Sequence, residues 1–258
     1  MGVRELMNLE GRSALVTGGS RGLGLQIAEA LGEMGAKVAI TARKKDELDH
    51  AVVHLKKMKI NCEMHVCDIG SRAAIGPLAD AVLKAFGRID ILVNNAGATW
   101  GAPAEDHPAE AWDKLVNVNL TGAFLLAQRV AKKSMIPAKW GRIINIASVA
   151  GLIGQDPRFA PTVAYTATKH GVVGLTRQLA AEWGVHGITV NAICPGFFPS
   201  KMTRATLDTA GKMIKEWTPN RRLGNDEDLK GLAVLLASEA SRHITGQAIA
   251  VDGGSTIV

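Results

Sequence analysis

The apolar positions of this chain alternate between two patterns. Short, largely apolar runs occupy residues 13–17, 37–41, 62–66, 89–93, 142–147, 189–193 and 248–251. Runs of that length read as strands buried on both faces. Between them apolar residues recur at three- and four-residue spacing, which predicts helices over 22–34, 44–58, 71–86, 109–135, 162–183 and 226–237. The predicted inward faces carry Leu48, Val52 and Leu55 on the second helix, Ala74, Leu78, Ala81, Val82 and Ala85 on the third, and Trp112, Leu115, Val116 and Val118 on the fourth. Repeated strand–helix units with right-handed crossovers give an α/β fold. It is a single-domain, Rossmann-like, doubly wound parallel sheet of about seven strands with helices on both faces, expected to span residues 1–258. Ligands of such sheets bind at the carboxyl ends of the strands. The stretch 195–225 has no clear period, and a loop of that length predicts a functional segment, here a substrate loop.

Composition narrows the class. The 258 residues are 47% hydrophobic and 21% charged, enough for one sizeable core. No apolar run approaches the roughly 18–20 residues that cross a bilayer. Residues 1–12 hold Arg4, Glu5, Glu10 and Arg12 and lack the apolar centre of a signal peptide, so a cytoplasmic location without membrane contact is expected. Cys62, Cys67 and Cys194 read as packed thiols, with neither a disulfide framework nor a metal site. The net charge is +6, but Lys and Arg are scattered and aromatics are only 4%, which argues against a nucleic-acid surface. Such an excess suits small substrates bearing phosphate or carboxylate.

The candidate chemistry begins where the first strand turns into the first helix, through Gly18, Gly19, Ser20, Arg21, Gly22, Leu23 and Gly24. A glycine-rich strand-to-helix turn cradles phosphate on free backbone N–H groups. Its spacing departs from G-x-G-x-x-G. After the second strand no carboxylate appears before Asp46, whereas Arg43 follows the strand and Arg21 lies in the glycine loop. Two guanidinium groups can clamp a 2′-phosphate, so NADP is favoured over NAD, with NAD the alternative. Asp68, before Ile69, either accepts from an adenine amino group or places negative charge at the next helix.

Tyr165 and Lys169 share a helix face at i, i+4 spacing, and a nearby cation lowers a phenol pKa. Tyr165, the chain's sole tyrosine, thereby becomes a candidate proton donor and acceptor. Ser148, ending the fifth strand, either holds a carbonyl oxygen or serves an ordinary turn. Asn119, mid-helix without a propensity reason, either binds buried water or a backbone carbonyl.

Together these residues resemble the short-chain dehydrogenase/reductase family from about residue 9 to 254. Thr17 to Gly24 matches its TGxxxGxG motif, and Asn94-Asn95-Ala96-Gly97 its NNAG motif. Asn119, Ser148, Tyr165 and Lys169 match its tetrad, Asn191 to Gly196 the segment beside the nicotinamide, and Val251-Asp252-Gly253-Gly254 its C-terminal signature. The resemblance implies hydride transfer between a nicotinamide and a carbonyl or carbinol carbon. Tyr165 would be the acid/base, Ser148 would position the oxygen, Lys169 would bind the ribose and lower the tyrosine pKa, and Asn119 would support a proton relay. Asn94, Asn95, Ala96 and Gly97 would pack near the adenosine ribose, and Pro195, Gly196 and Phe198 beside the nicotinamide. Ser200 stands where the family's threonine contacts the amide. Helix faces around Leu120, Phe124, Val172, Leu175 and Leu179 would pair subunits into a homotetramer.

Two departures stand out. Asp226 replaces a proline of the R-x-G-x-P-E segment, with Asn225 or Asp226 expected to cap the next helix. The Ser148–Tyr165 interval is lengthened within 155–162, at the rim of the substrate pocket. Phe197, Phe198, Met202 and Trp217 are expected to line an apolar pocket under a basic rim of Arg158, Lys201, Arg204, Arg221 and Arg222. That combination suits a 3-oxoacyl thioester on a phosphorylated carrier, the rim alone a keto-aldonate such as 5-ketogluconate. The resemblance extends to 3-oxoacyl-carrier reductases and gluconate 5-dehydrogenase-like members, beside a general carbonyl reductase. A non-catalytic NADP-binding redox sensor is the reading from another class.

Overall fold

The computed structural model describes residues 1–156 and 161–258. A short helix α1 (Val3–Met7) precedes β1 (Ser13–Thr17), α2 (Gly22–Glu33), β2 (Lys37–Ala42), α3 (Lys45–Lys57), β3 (Cys62–Val66), α4 (Arg72–Phe86) and β4 (Ile91–Asn94). A helical rod follows: α5 (Ala109–Val116), a π-turn (Asn117–Thr121), α6 (Gly122–Val130), a second π-turn (Ala131–Met135) and α7 (Ile136–Ala138). Then come β5 (Gly141–Ile146), α8 (Val163–Trp183), β6 (Ile188–Pro195), α9 (Arg204–Trp217), α10 (Lys230–Ala237) and β7 (Ala248–Val251).

The seven strands form one parallel sheet in the order β3-β2-β1-β4-β5-β6-β7. The order reverses between β1 and β4, which opens a crevice at their carboxyl ends. Strand alternation divides the core. Ala14 and Val16 pack with Ile27, Leu31 and Leu48 on one face, and Leu15 packs with Leu78, Val82 and Leu126 on the other. Every residue of β1, β5 and β6 is buried, as doubly covered parallel strands require. At the amino edge, Trp140 lies between the guanidinium groups of Arg12 and Arg142, 3.7 and 4.3 Å from its ring centroid. Burial lowers the Arg142 pKa to about 10, and its Nε and Nη1 donate to the carbonyls of Ser238 and Gly141.

Several predicted details shift. On α4, Ile75, Leu78, Ala79 and Val82 face inward while Ala81 and Ala85 are exposed, because the apolar stripe runs two residues ahead of the expected alanines. Trp112 is exposed, and Val116 and Val118 are half-buried. The single helix expected over 109–135 is interrupted by the two π-turns. At the first, Gly122 backs onto Ile69, where a Cβ would lie 2.4 Å from the carbonyl oxygen. The stretch 195–225 contains α9, whose buried positions are only Ala210 and Ile214, too few to register as a period. The helix expected from 226 begins at Lys230. Asn225 Oδ1 instead accepts from the N–H groups of Glu227 and Asp228, holding a turn before it. On the faces expected to pair subunits, Val172 and Leu179 are already buried in this chain, and Leu120, Phe124 and Leu175 are half-buried. Among the described residues no helix is long and apolar enough to cross a membrane, and the three cysteines are unpaired and buried.

The second π-turn turns Ser134 onto the start of β4. Its Oγ accepts from Ile89 N–H at 2.9 Å and donates to Ile89 O at 3.0 Å. Ser134→Ala would leave both groups of a fully buried residue without their partner. The expected loss is about 2 kcal/mol by urea denaturation, and a loss under about 0.5 kcal/mol would remove Ser134 from this role.

Candidate active site

The glycine loop is held by a polar knot at the crevice. Thr17 Oγ1 accepts from the N–H groups of Asn95 and Ala96, both at 2.9 Å, and donates to Val93 O at 3.3 Å. Asn95 Nδ2 donates to the carbonyls of Thr17 and Gly18, at 2.8 and 3.1 Å. A Cβ on Gly24 would lie 2.3 Å from Gly18 O and 2.4 Å from Asn95 Nδ2. Gly18 and Gly24 are therefore required by the loop's own packing. Gly22 differs: its φ is +53° and a Cβ there would meet nothing within 4 Å, so it faces open space. The amino end of α2 has no side-chain cap, which leaves its first N–H groups for an anion. These features fit a dinucleotide pyrophosphate. Ser20 is buried and Leu23 packs against the core.

Gly19 N–H donates to Thr41 O, tying the loop to the end of β2. Arg21 and Arg43 therefore follow the ends of adjacent strands. Arg43 is exposed and makes no ion pair among the described residues. Arg21 Nε lies 3.1 Å from a carboxylate absent from the sequence reading, Glu47 on α3. Ser20 Oγ and Lys44 Nζ also reach Glu47, at 3.4 and 3.6 Å. Asp68 is exposed, and its Oδ1 accepts from Gly70 N–H at 2.9 Å, supporting the turn into α4. Ile69 is buried.

The tetrad comes together from three segments. Ser148 caps a short turn after β5, with Oγ accepting from Ala150 N–H at 3.1 Å, and it also hydrogen-bonds the Tyr165 phenol. Lys169, only 4% exposed, donates from Nζ to Ile146 O at 2.7 Å. Its ammonium is 5.5 Å from the Tyr165 ring centroid. Asn119, on the first π-turn, clamps Ala98 by accepting from its N–H at 2.8 Å and donating to its carbonyl at 3.0 Å. Its Nδ2 also donates to Thr168 Oγ1, which donates to Tyr165 O at 2.8 Å. Of the two readings for Asn119, the backbone carbonyl is seen. Thr168, one residue from Lys169, was invisible as a link because threonine inside a helix carries no signal of its own. Gly97 lies alongside, where a Cβ would sit 3.5 Å from Asn119 Oδ1 and 3.7 Å from Lys169 Nζ.

The electrostatics differ from expectation. Loss of solvation pushes the Tyr165 phenol up, opposed by the Ser148 hydrogen bond. Burial also brings Lys169 down to about 8. The enclosed lysine thus holds its own charge weakly near neutral pH and does not by itself bring the phenol toward neutrality. Cys194 lies under the set, receives the Ser148 N–H and is raised by burial to about 11.

The substrate loop departs further. Pro195 is buried at the end of β6, and Gly196 packs so closely on Asp252 that a Cβ would lie 2.9 Å from its Cα. Phe198 is only 4% exposed and its ring lies against Gly224, so it packs into the core, and its edge also lines a small cavity. Phe197 is half-buried, and Met202 and Trp217 are exposed. Ser200 Oγ shares a hydrogen bond with Thr203 Oγ1 at 3.0 Å. Lys201, Arg204 and Arg221 are exposed, but Arg222 is paired with Asp228. Arg158 and half of the lengthened rim, 157–160, lie outside the described residues. A cavity of about 100 Å³ beside Phe197, Thr218, Asn220 and Asp252 does not reach Ser148, Tyr165 or Lys169.

Comparison with known proteins identifies the family of the chain. A family model described as enoyl-(acyl carrier protein) reductase matches residues 18–256. The chain is 38% identical over 257 residues to gluconate 5-dehydrogenase of Gluconobacter oxydans, covering 98% of each. It is 37% identical to a 3-oxoacyl-(acyl-carrier-protein) reductase of Staphylococcus epidermidis, covering 94% of this chain and 98% of the relative. The crystal structure of a gluconate 5-dehydrogenase from Burkholderia cenocepacia in complex with NADP and tartrate superposes with a TM-score of 0.93, at 36% identity and over 100% of both chains. The chain belongs to the short-chain dehydrogenase/reductase family of oxidoreductases.

Proposed function

We propose that this protein interconverts a carbonyl and a secondary alcohol with NADP(H), and that its substrate is a small hydroxylated keto acid of the gluconate type. The observation that carries the reading is the meeting of Ser148, Tyr165 and Lys169 at the carboxyl end of the sheet, around one phenol. Bound NADP(H) would supply the hydride donor or acceptor. The open face of Gly22 and the uncapped start of α2 would hold its pyrophosphate, and Arg21 and Arg43 its 2′-phosphate. Asn95, Ala96 and Gly97 would border the adenosine side, Asp68 the adenine, and Lys169 the nicotinamide ribose. Pro195, Gly196 and Ser200 would border the nicotinamide.

Tyr165 gives its hydroxyl proton to the substrate oxygen in reduction and takes it back in oxidation. Its raised pKa keeps it protonated near neutral pH, which suits reduction. Ser148 donates to the same oxygen as negative charge develops on it. Lys169 is held on Ile146 O, and Asn119 fixes Ala98 and, through Thr168, the turn of α8 that bears Tyr165.

The substrate reading rests on the loop. Phe198 packs in the core and lines only a small cavity that does not reach the reacting groups, whereas Lys201, Arg204 and Arg221 present exposed charge without an ion-pair partner among the described residues. That favours an anionic, hydroxylated substrate over a long acyl chain. Relatives of both classes stand at similar identity, gluconate 5-dehydrogenases at 36–38% and a 3-oxoacyl-carrier reductase at 37%, so the loop carries the choice.

Tyr165→Phe is expected to lower kcat about a hundredfold or more while NADPH affinity stays within about twofold. Retention of a tenth of the activity in steady-state assays would remove Tyr165 from the acid/base role. Arg43→Asp should weaken NADPH about tenfold or more by fluorescence titration and leave NADH nearly unchanged. Equal effects on both cofactors would overturn the clamp. Finally, kcat/KM for 5-ketogluconate should exceed that for an acetoacetyl thioester by about tenfold or more, and the reverse order would assign the thioester class.

A further inference from the structure

The glycine loop carries an anion of its own. Glu47 Oε2 lies 3.1 Å from Arg21 Nε and 3.4 Å from Ser20 Oγ, and Oε1 lies 3.6 Å from Lys44 Nζ. These are three of the polar groups at the loop–β2 junction, and the fourth, Arg43, is exposed. Glu47 is anchored where it stands. It occupies the first turn of α3, where a carboxylate is favoured by the helix dipole, and the next residue, Leu48, is fully buried. Its side chain is half-buried, whereas those of Arg21 and Lys44 are more than half exposed. The carboxylate is therefore the fixed member of the cluster and the two cations are the movable ones.

We infer that Glu47 is a specificity-determining residue: its carboxylate competes with the cofactor's 2′-phosphate for Arg21 and Lys44, and so tempers the preference for NADP over NAD. The inference rests on the proposed 2′-phosphate clamp and deepens it. A phosphate arriving beside Arg43 must draw Arg21 away from Glu47 or share it, and it meets like charge from the carboxylate at close range. A cofactor with free ribose hydroxyls meets neither obstacle, and Glu47 can then accept hydrogen bonds from them. The sequence motif shows two arginines without a counter-charge before Asp46. The fold supplies that counter-charge from the third residue of the following helix.

The test is Glu47→Gln in the full chain, which keeps the shape and removes the charge. Dissociation constants for NADPH and NADH are measured by fluorescence titration without substrate. NADPH should tighten about two- to fivefold, in keeping with removal of partly exposed charge pairs, and NADH should not tighten. The gain should shrink as ionic strength rises, because exposed charges are screened. In an Arg21→Ala background, Glu47→Gln should give less of the gain, since only Lys44 then remains to be released. Unchanged or weaker NADPH binding in Glu47→Gln, or equal tightening of both cofactors, overturns the inference. A wild-type chain that prefers NADH and whose NADPH affinity ignores Arg43→Asp instead overturns the 2′-phosphate reading itself. Circular dichroism melting of each variant separates both outcomes from a failure to fold.

Discussion

The structure depends on the knot between the ends of β1 and β4. A parallel sheet leaves its carboxyl edge as a row of loops, and where the strand order reverses, nothing in the sheet joins the two loops. Here the Thr17 hydroxyl and the Asn95 amide join them with four hydrogen bonds across 77 to 79 positions of sequence. The Asn95 amide also fills the space beside Gly18 and Gly24, so the loop's shape is set before any ligand meets it. Gly22 is left facing outward, and the start of α2 is left uncapped beside it. Preorganisation of this kind lowers the ordering entropy of binding.

The reacting groups extend the same logic to β5 and α8. Their hydrogen bonds run in a chain: Ala98 to Asn119, Asn119 to Thr168, Thr168 to the Tyr165 carbonyl, with Ser148 on the phenol. The π-turn at Asn117–Thr121 puts Asn119 at the head of that chain, consistent with the tendency of wide turns to mark functional positions. Burial has an electrostatic consequence. Lys169 is held at about 8 and Tyr165 above its ordinary value, so the pair favours protons on oxygen and a weakly held charge on nitrogen. Any net lowering of the phenol has to come from groups that complete the site.

The polar cluster around Glu47 and the core position of Phe198 pull the site in one direction. Both make the entrance more charged and less apolar than the chain's motifs imply. The exposed Lys201, Arg204 and Arg221 add to that character at the substrate side. Arg222, the one paired basic residue of the rim among the described residues, is fixed by Asp228 and by its own turn through Leu223 and Asn225.

The sequence by itself determined the strand–helix alternation, β1, β3 and β7 to the residue, and the helix face that Tyr165 shares with Lys169, while Asn119 and Ser148 joined that pair through the family resemblance. Strands buried on both faces and i, i+4 pairs are local patterns, and local patterns survive in one dimension. It also pointed to the first turn as a phosphate cradle, since glycine spacing at a strand end is a backbone property. Helix α9 and the shifted face of α4 were not legible, because their apolar stripes are too thin or offset by alanines that read the same inside and out. Only the tertiary structure decided that Gly18 and Gly24 serve packing while Gly22 faces outward, that Phe198 joins the core, that Thr168 links Asn119 to Tyr165, and that Glu47 lies on Arg21. Each of these depends on which residues distant in the chain become neighbours, and burial, which sets the charges of Tyr165 and Lys169, exists only once they have.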